Sequence, residues 1–340
     1  MSFTLSGKST LTFKNPPSVK SFAAIVGKKE GEGPYGKNFD RVEKDAYFGQ
    51  KTWESAESAL FREAVMTAIE KARYRTDDIP FLASGDLLNQ CTATGYAART
   101  LPIAYLGLYG ACSTMAESLF AASLLVSGGA QRAVAATSSH FCGSEKQFRF
   151  PLEYGAQRPP TSQWTVTGSG AVLLEKEGDG PYITHATLGK VIDAGITDAN
   201  NMGSAMAPAL CDTLIRHLKA LGTKPSDYDL IISGDLGHTG KRVASDLLKQ
   251  EYHLNIDEVF TDCGCMIFDA KKQDVHSGGS GCGCSASMLA GFFLPEMKKQ
   301  KMSRILFIAT GALMSPTLSL QGESIPSIAH AIEFNTECGF

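Results

Sequence analysis

Nine cysteines carry the most reactive side chains of this 340-residue chain, and the setting of one of them is the most informative. Cys112 follows a short apolar run closed by a glycine turn (Leu106, Gly107, Leu108, Tyr109, Gly110, Ala111) and precedes a helical pattern that begins Ser113, Thr114, Met115. The spacing puts the thiol at the positive end of a helix, where the first amide N–H groups lack partners. That position is expected to lower a thiol pKa, and it suits either a nucleophile or the floor of an anion pocket. The structural alternative is a small buried residue fitted to the turn.

Four other cysteines form the pairs Cys263/Cys265 and Cys282/Cys284. Paired zinc ligands usually have two to four residues between them, and these pairs have one, so no metal site is assigned. Gly264, Gly278, Gly279, Gly281 and Gly283 surround these pairs, which read as small residues in tight turns. An odd cysteine count in a large chain argues for reduced thiols.

The elements that must position these groups alternate between strand and helix. Residues 28–51 are polar and rich in Gly and Lys, and they read as a long exposed loop. Residues 53–73 carry Ala56, Leu60, Ala64, Ala68 and Ile69 at helical spacing. Strands are expected over 80–84, 103–108, 130–138 and 165–175. A helix over 115–126 is apolar or small on nearly every side and should be buried all round. The second half repeats the rhythm, with helices over 205–221, 241–250 and 285–299 and strands over 228–233 and 304–310. Two correspondences suggest a duplication. Residues 131–137 resemble 303–310, and Gly110-Ala-Cys112-Ser113 resembles Gly281-Cys-Gly-Cys284-Ser285 as the opening of a small-residue helix. The expected class is α/β, with helices packed on sheets in two halves, 1–177 and 178–340.

Composition narrows the function. The chain is 43% hydrophobic with a formal net charge of −3, enough apolar residues for a sizeable core and no basic excess for nucleic acid. No apolar run approaches the roughly 18–20 residues that span a bilayer. Residues 1–8 lack a basic region followed by an apolar core, so no secretory signal is expected.

The turn Ala111-Cys112-Ser113, the strand from Arg132 to Thr137, and the glycine-rich strand Gly168-Ser-Gly-Ala-Val172 together resemble the thiolase superfamily, in particular ketoacyl-acyl-carrier-protein synthase III. The resemblance implies a thiolase-like fold of two similar halves in α-β-α-β-α layers, with the cysteine acylated. It also implies a histidine and an asparagine in the second half. Gly234 or Asp235 stands at the histidine position, His238 falls three or four residues late, and Cys282 stands at the asparagine position. That histidine and asparagine stabilise an enolate oxygen, a role in which one donor is worth about 10²–10³ in rate. Glycine, aspartate and cysteine do not supply it, so no catalytic residue is assigned.

A denser resemblance explains the loss. Segments 85–90, 110–114, 136–140, 147–155, 166–170, 202–208, 278–285 and 323–330 resemble the stage V sporulation protein AD family of spore-forming bacteria. That resemblance implies non-catalytic binding of dipicolinic acid (pyridine-2,6-dicarboxylate), free or as its calcium chelate. It implies a role in uptake into the developing spore and release at germination, alongside membrane proteins of the same stage V sporulation A operon. It places the protein in the spore, peripheral to the inner membrane. Calcium arriving with the ligand is the only cofactor it suggests. Thiolase-fold proteins are commonly dimers, so a homodimer is expected, and no nucleic-acid partner.

The site expected on this basis consists of Cys112, Asp86, His140, Arg149, Asp235, His238 and Cys282. Arg149 could give a carboxylate a bidentate contact or anchor a loop. His140 could donate to a carboxylate or bond to backbone. Asp86 could meet the calcium of a chelate or cap a helix. The competing function is an acyltransferase of the ketoacyl synthase III type with Cys112 as nucleophile.

Overall fold

The computed structural model describes residues 2–148 and 158–338. Among them the strands run in chain order as β1 (Phe3–Ser6), β2 (Thr10–Phe13), β3 (Ser18–Gly27), β4 (Arg41–Glu43), β5 (Phe81–Gly85), β6 (Ala104–Gly107), β7 (Arg132–Ser139), β8 (Trp164–Thr165), β9 (Gly168–Glu175), β10 (Tyr182–Thr187), β11 (Leu230–Ser233), β12 (Phe260–Asp262), β13 (Gly279–Ser280), β14 (Arg304–Ala312) and β15 (Ser327–Asn335). The helices are α1 (Lys28–Gly31), α2 (Trp53–Lys71), α3 (Thr92–Ala98), α4 (Thr114–Ser127), α5 (Phe141–Phe148), α6 (Met202–Leu221), α7 (Gly237–Tyr252), α8 (Cys263–Met266), α9 (Cys282–Met288), α10 (Leu294–Lys298) and α11 (Pro316–Leu320).

Two five-stranded sheets repeat one pattern. The first has the order β3-β9-β7-β5-β6 and the second β10-β15-β14-β11-β12. In each, the first two neighbouring pairs are antiparallel and the last two parallel. The sheets join at a single pair, Tyr182 with Ser18. Identical order and direction in both halves is the structural form of the duplication suggested by residues 131–137 and 303–310. The N-terminal hairpin β1–β2 pairs with β10, so the first residues of the chain complete the second sheet.

Burial explains the layering. One apolar cluster joins α2 to the outer face of the first sheet, through Leu60, Phe61, Val65, Leu82 and Val134. Another joins α6 and α7 to the outer face of the second, through Leu210, Leu214, Leu248, Leu306 and Ile308. The largest lies between the sheets, where α4 packs on β5 and β7 and reaches β14 and β15, while α9 packs on β7 and β9. The layers are therefore helix, sheet, helix, sheet, helix. A helix with sheets on both sides must be apolar or small around its circumference, as α4 is. Strand β9, buried along its whole length, is likewise a continuous apolar and small run.

Two expectations need correction. Residues 28–51 are not a plain exposed loop: they form α1, a 3₁₀ turn at Gly36–Asn38, and β4, which pairs parallel with β3. They bury Phe39 and Glu30, whose carboxylate accepts the Thr167 N–H at 3.0 Å. The helix expected over 285–299 starts earlier, at Cys282, and contains a π-helical turn at Leu289–Phe293 between α9 and α10.

Candidate ligand-binding site around Cys112

The turn before α4 is held by hydroxyls. Ser113 Oγ donates to the Gly110 carbonyl at 2.7 Å, and Thr114 Oγ1 donates to the Ala111 carbonyl at 2.6 Å. Ala111 has φ +52°, a left-handed conformation that costs a non-glycine residue about 1–2 kcal/mol. Gly110 has no room for a side chain, because a Cβ there would run into the Glu117 carboxylate and the Ser113 hydroxyl. A residue without a side chain at 110 is thus part of what places Cys112 where it is.

Cys112 is buried and packs with Leu87, Cys282 and Phe148. It lines a cavity of about 40 Å³ together with Leu87, Ser144, Phe148, Met202 and Met314. That space is enough for a few water molecules. Phe148 and Met314 also line an outer recess of about 330 Å³, with Tyr109, Cys91 and Pro316. These two side chains therefore separate the inner cavity from its approach.

The thiol is not activated. Burial, and after it the neighbouring Asp235 carboxylate, push the Cys112 pKa well above the ordinary thiol value. This overturns the expectation of a lowered pKa: desolvation of the thiolate and an adjacent negative charge outweigh the helix end. Asp235 is itself fully buried, and burial pushes its carboxyl up to about 6. One oxygen accepts Thr310 Oγ1 at 3.1 Å, and the other accepts the Gly281 N–H at 2.8 Å and Ser280 Oγ at 3.2 Å. Asp235 thereby ties β14 and the opening of α9 to the floor of the cavity.

Cys282 lies behind Cys112, and its thiol donates to the Ser138 carbonyl at 3.0 Å. Gly234 is packed against Ala309 and Ser285, which would lie 3.2–3.3 Å from a Cβ at that position, so an imidazole would not fit there without movement.

The remaining expected site residues are placed differently. Asp86 is buried but does not line the cavity. Its oxygens accept the Leu88 N–H, the Thr94 N–H and Thr94 Oγ1, each at 2.8 Å, so it caps the turn after β5 and the first turn of α3. His140 Nε2 pairs with the Ala46 carbonyl at 2.8 Å, and burial lowers its pKa, so it holds residues 40–48 rather than facing Cys112. His238 is exposed in the first turn of α7 and does not line the cavity either. Arg149 lies outside the described residues.

Two features were missed in the sequence. Glu57 is fully buried near the site. It accepts Ser138 Oγ at 2.9 Å, and its pKa is raised well above the carboxylate range by burial and by Asp86. Its signal was its place on the buried stripe of α2, three residues before Leu60. The second is a repeated tetrapeptide, Ser84-Gly-Asp86-Leu87 and Ser233-Gly-Asp235-Leu236, at the C-terminal ends of the equivalent strands β5 and β11. The duplication therefore supplies two structurally equivalent aspartates, of which the second meets Cys112.

All nine cysteines are free. No cluster of three or more His, Cys, Asp or Glu is arranged to hold a metal ion among the described residues, and no helix there is long and apolar enough to cross a membrane.

Two sheets of repeated order enclosing paired central helices, each opening at a cysteine (Cys112 before α4, Cys282 at the start of α9), define a thiolase-like fold. Solved structures agree. 3-Oxoacyl-[acyl-carrier-protein] synthase III from Aquifex aeolicus superposes with a TM-score of 0.53 at 12% identity, covering 94% of this chain and 99% of that one. The synthase III of Pseudomonas aeruginosa gives 0.55 at 14% identity, over 94% and 98%. OleA of Xanthomonas campestris gives 0.57 at 12%, over 94% and 98%. Likeness at this identity establishes the fold alone. Residues 7–335 match the model of the stage V sporulation protein AD family, and stage V sporulation protein AD of Bacillus subtilis (strain 168) is 46% identical over 336 residues, 98% of this chain and 99% of that protein. The chain belongs to the stage V sporulation protein AD family.

Proposed function

We propose that the protein binds dipicolinate, free or as its calcium chelate, in the cavity at Cys112 without catalysing a reaction, and that it serves dipicolinate uptake into the forespore and its release at germination. The observation that carries this reading is the company of the thiol. Where a thiolase-fold enzyme needs a thiolate and enolate donors, Cys112 is a buried, neutral thiol beside the Asp235 carboxylate, with Gly234 and Cys282 at the donor positions. Leu87, Phe148, Met202 and Met314 offer apolar faces to an aromatic ring, and thioether side chains adapt readily to an incoming shape. Arg149, the residue after Phe148, is proposed as the cation for one carboxylate.

The ligand is larger than the inner cavity, so binding requires Phe148 and Met314 to give way toward the outer recess. The partners proposed are membrane proteins of the same operon and a second copy of this chain. Titration calorimetry on the purified protein tests the central claim. Saturable binding of dipicolinate is expected, with or without calcium, and absence of heat at millimolar ligand in both conditions would overturn it.

A further inference from the structure

We propose that α5 is the recognition wall of the cavity and that the Ser144 hydroxyl donates a hydrogen bond to a carboxylate of the bound ligand. This rests on the reading that the cavity takes an aromatic dicarboxylate. Ser144 is 2% exposed and lines the cavity with Cys112. Its Oγ is buried and has no hydrogen-bond partner among the described residues. A helical serine commonly returns its hydroxyl to the carbonyl four residues earlier. Here the Ser144 N–H takes the His140 carbonyl at 3.0 Å, and the hydroxyl does not join it.

A buried polar group without a partner is a standing cost to the fold, and of the unpartnered buried hydroxyls among the described residues (Ser84, Ser118, Ser123, Ser127, Ser144 and Ser287) Ser144 is the one that lines the cavity. Phe148 stands one helical turn beyond Ser144 and lines the same cavity, so one face of α5 presents a donor and an aromatic ring together. Those are the two features a flat aromatic carboxylate needs: a surface for the ring and a donor for an oxygen. Ser144 is also neutral, so it adds no charge to a cavity that is lined by the buried Glu145 carboxylate and has Asp235 beside Cys112.

Ser144→Ala is the test, since alanine is the better helix former and removes only the hydroxyl. Dipicolinate is titrated into the full-length wild type and the variant by calorimetry, and thermal unfolding of each is followed without ligand. The expected result is affinity lower by roughly 10-fold or more, the worth of one hydrogen bond to a charged group. The ligand-free melting point should be unchanged or higher. Unchanged affinity, in a wild type that binds, overturns the Ser144 assignment alone. Affinity and melting point falling together also overturn it, because the hydroxyl would then be supporting the fold. A wild type that does not bind overturns the reading of the cavity on which the assignment rests.

Discussion

A thiol at the head of a helix is usually read as poised, yet at Cys112 two larger effects act the other way. Desolvation of a thiolate and a carboxylate alongside it both favour the protonated form. Cys112 should therefore resist iodoacetamide at pH 7.5 while the exposed Cys338 is alkylated, and it should form no stable adduct with acetyl-CoA or malonyl-CoA; intact and peptide mass spectrometry would read both. Cys112→Ala should weaken dipicolinate binding by about 10-fold or more with little change in the melting point. Glu30 offers a separate test, of pH dependence. Burial pushes its carboxyl up to about 7, from an unfolded value near 4.5. The folded state then holds a proton that the unfolded state has released, so this residue lowers stability as pH rises from about 4.5 to about 7, and the loss levels off above that. Glu30→Gln keeps the acceptor for the Thr167 N–H and abolishes the titration. Relative to wild type it should gain up to about 3 kcal/mol between pH 4.5 and 7.5 in denaturant unfolding.

At the scale of elements, sequence periodicity located those with a simple environment. Helix α2 has one buried stripe and β9 is buried on both faces, so these patterns read directly, whereas α4, apolar or small on nearly every side, keeps a half-buried stripe through Glu117, Phe120, Ala121, Leu124 and Leu125. Residues 28–51 misled because burial there falls on single residues, Glu30 and Phe39, set among exposed Lys and Gly, and no period registers them. Cys112, Asp235 and Cys282, picked out by strand ends and helix starts, do lie together in the structure, with Cys112 on the cavity wall and the other two packed behind it. His140 and Asp86 sit at equally suggestive positions. Which way their side chains are committed depends on Ala46 and Thr94, contacts that spacing does not reveal. The same holds for Glu333 on β15, which is almost fully buried. It accepts from Tyr228 at 3.0 Å and from His185 and the Arg304 Nε and Nη2 at 3.1 Å, and it pairs with His217 at 3.3 Å, joining β10, β14, β15, α6 and the turn before β11. Although burial alone would raise its pKa, these partners hold the carboxyl far below the usual range. A depressed pKa means stability present above about pH 4.5 and lost as pH falls below it. Glu333→Gln should cost about 3–5 kcal/mol at pH 7, as expected for breaking a buried ion pair, and less at acid pH, measured by urea unfolding.

Across the whole molecule, the duplicated sheets end differently. In the second sheet the edge strand β12 is short and leads directly into α8. In the first, β6 pairs among the described residues only with β5, and all four of its residues are exposed, with Tyr105 38% and Leu106 46% accessible and Tyr109 44% accessible just beyond. An open edge carrying exposed apolar side chains is a template for another strand. The proposed pairing with a second copy would be expected there, edge to edge, with β6 of each copy continuing the other's sheet. The same segment runs on into Tyr109, which lines the outer recess, and then to Cys112, so pairing at β6 would also brace the approach to the cavity. Leu106→Lys puts a charge on that edge without touching the core, and it should convert a dimer into a monomer in light scattering coupled to size exclusion, with the circular dichroism spectrum unchanged. A wild type that is monomeric at micromolar concentration, or a Leu106→Lys variant that stays dimeric, would remove β6 as the interface.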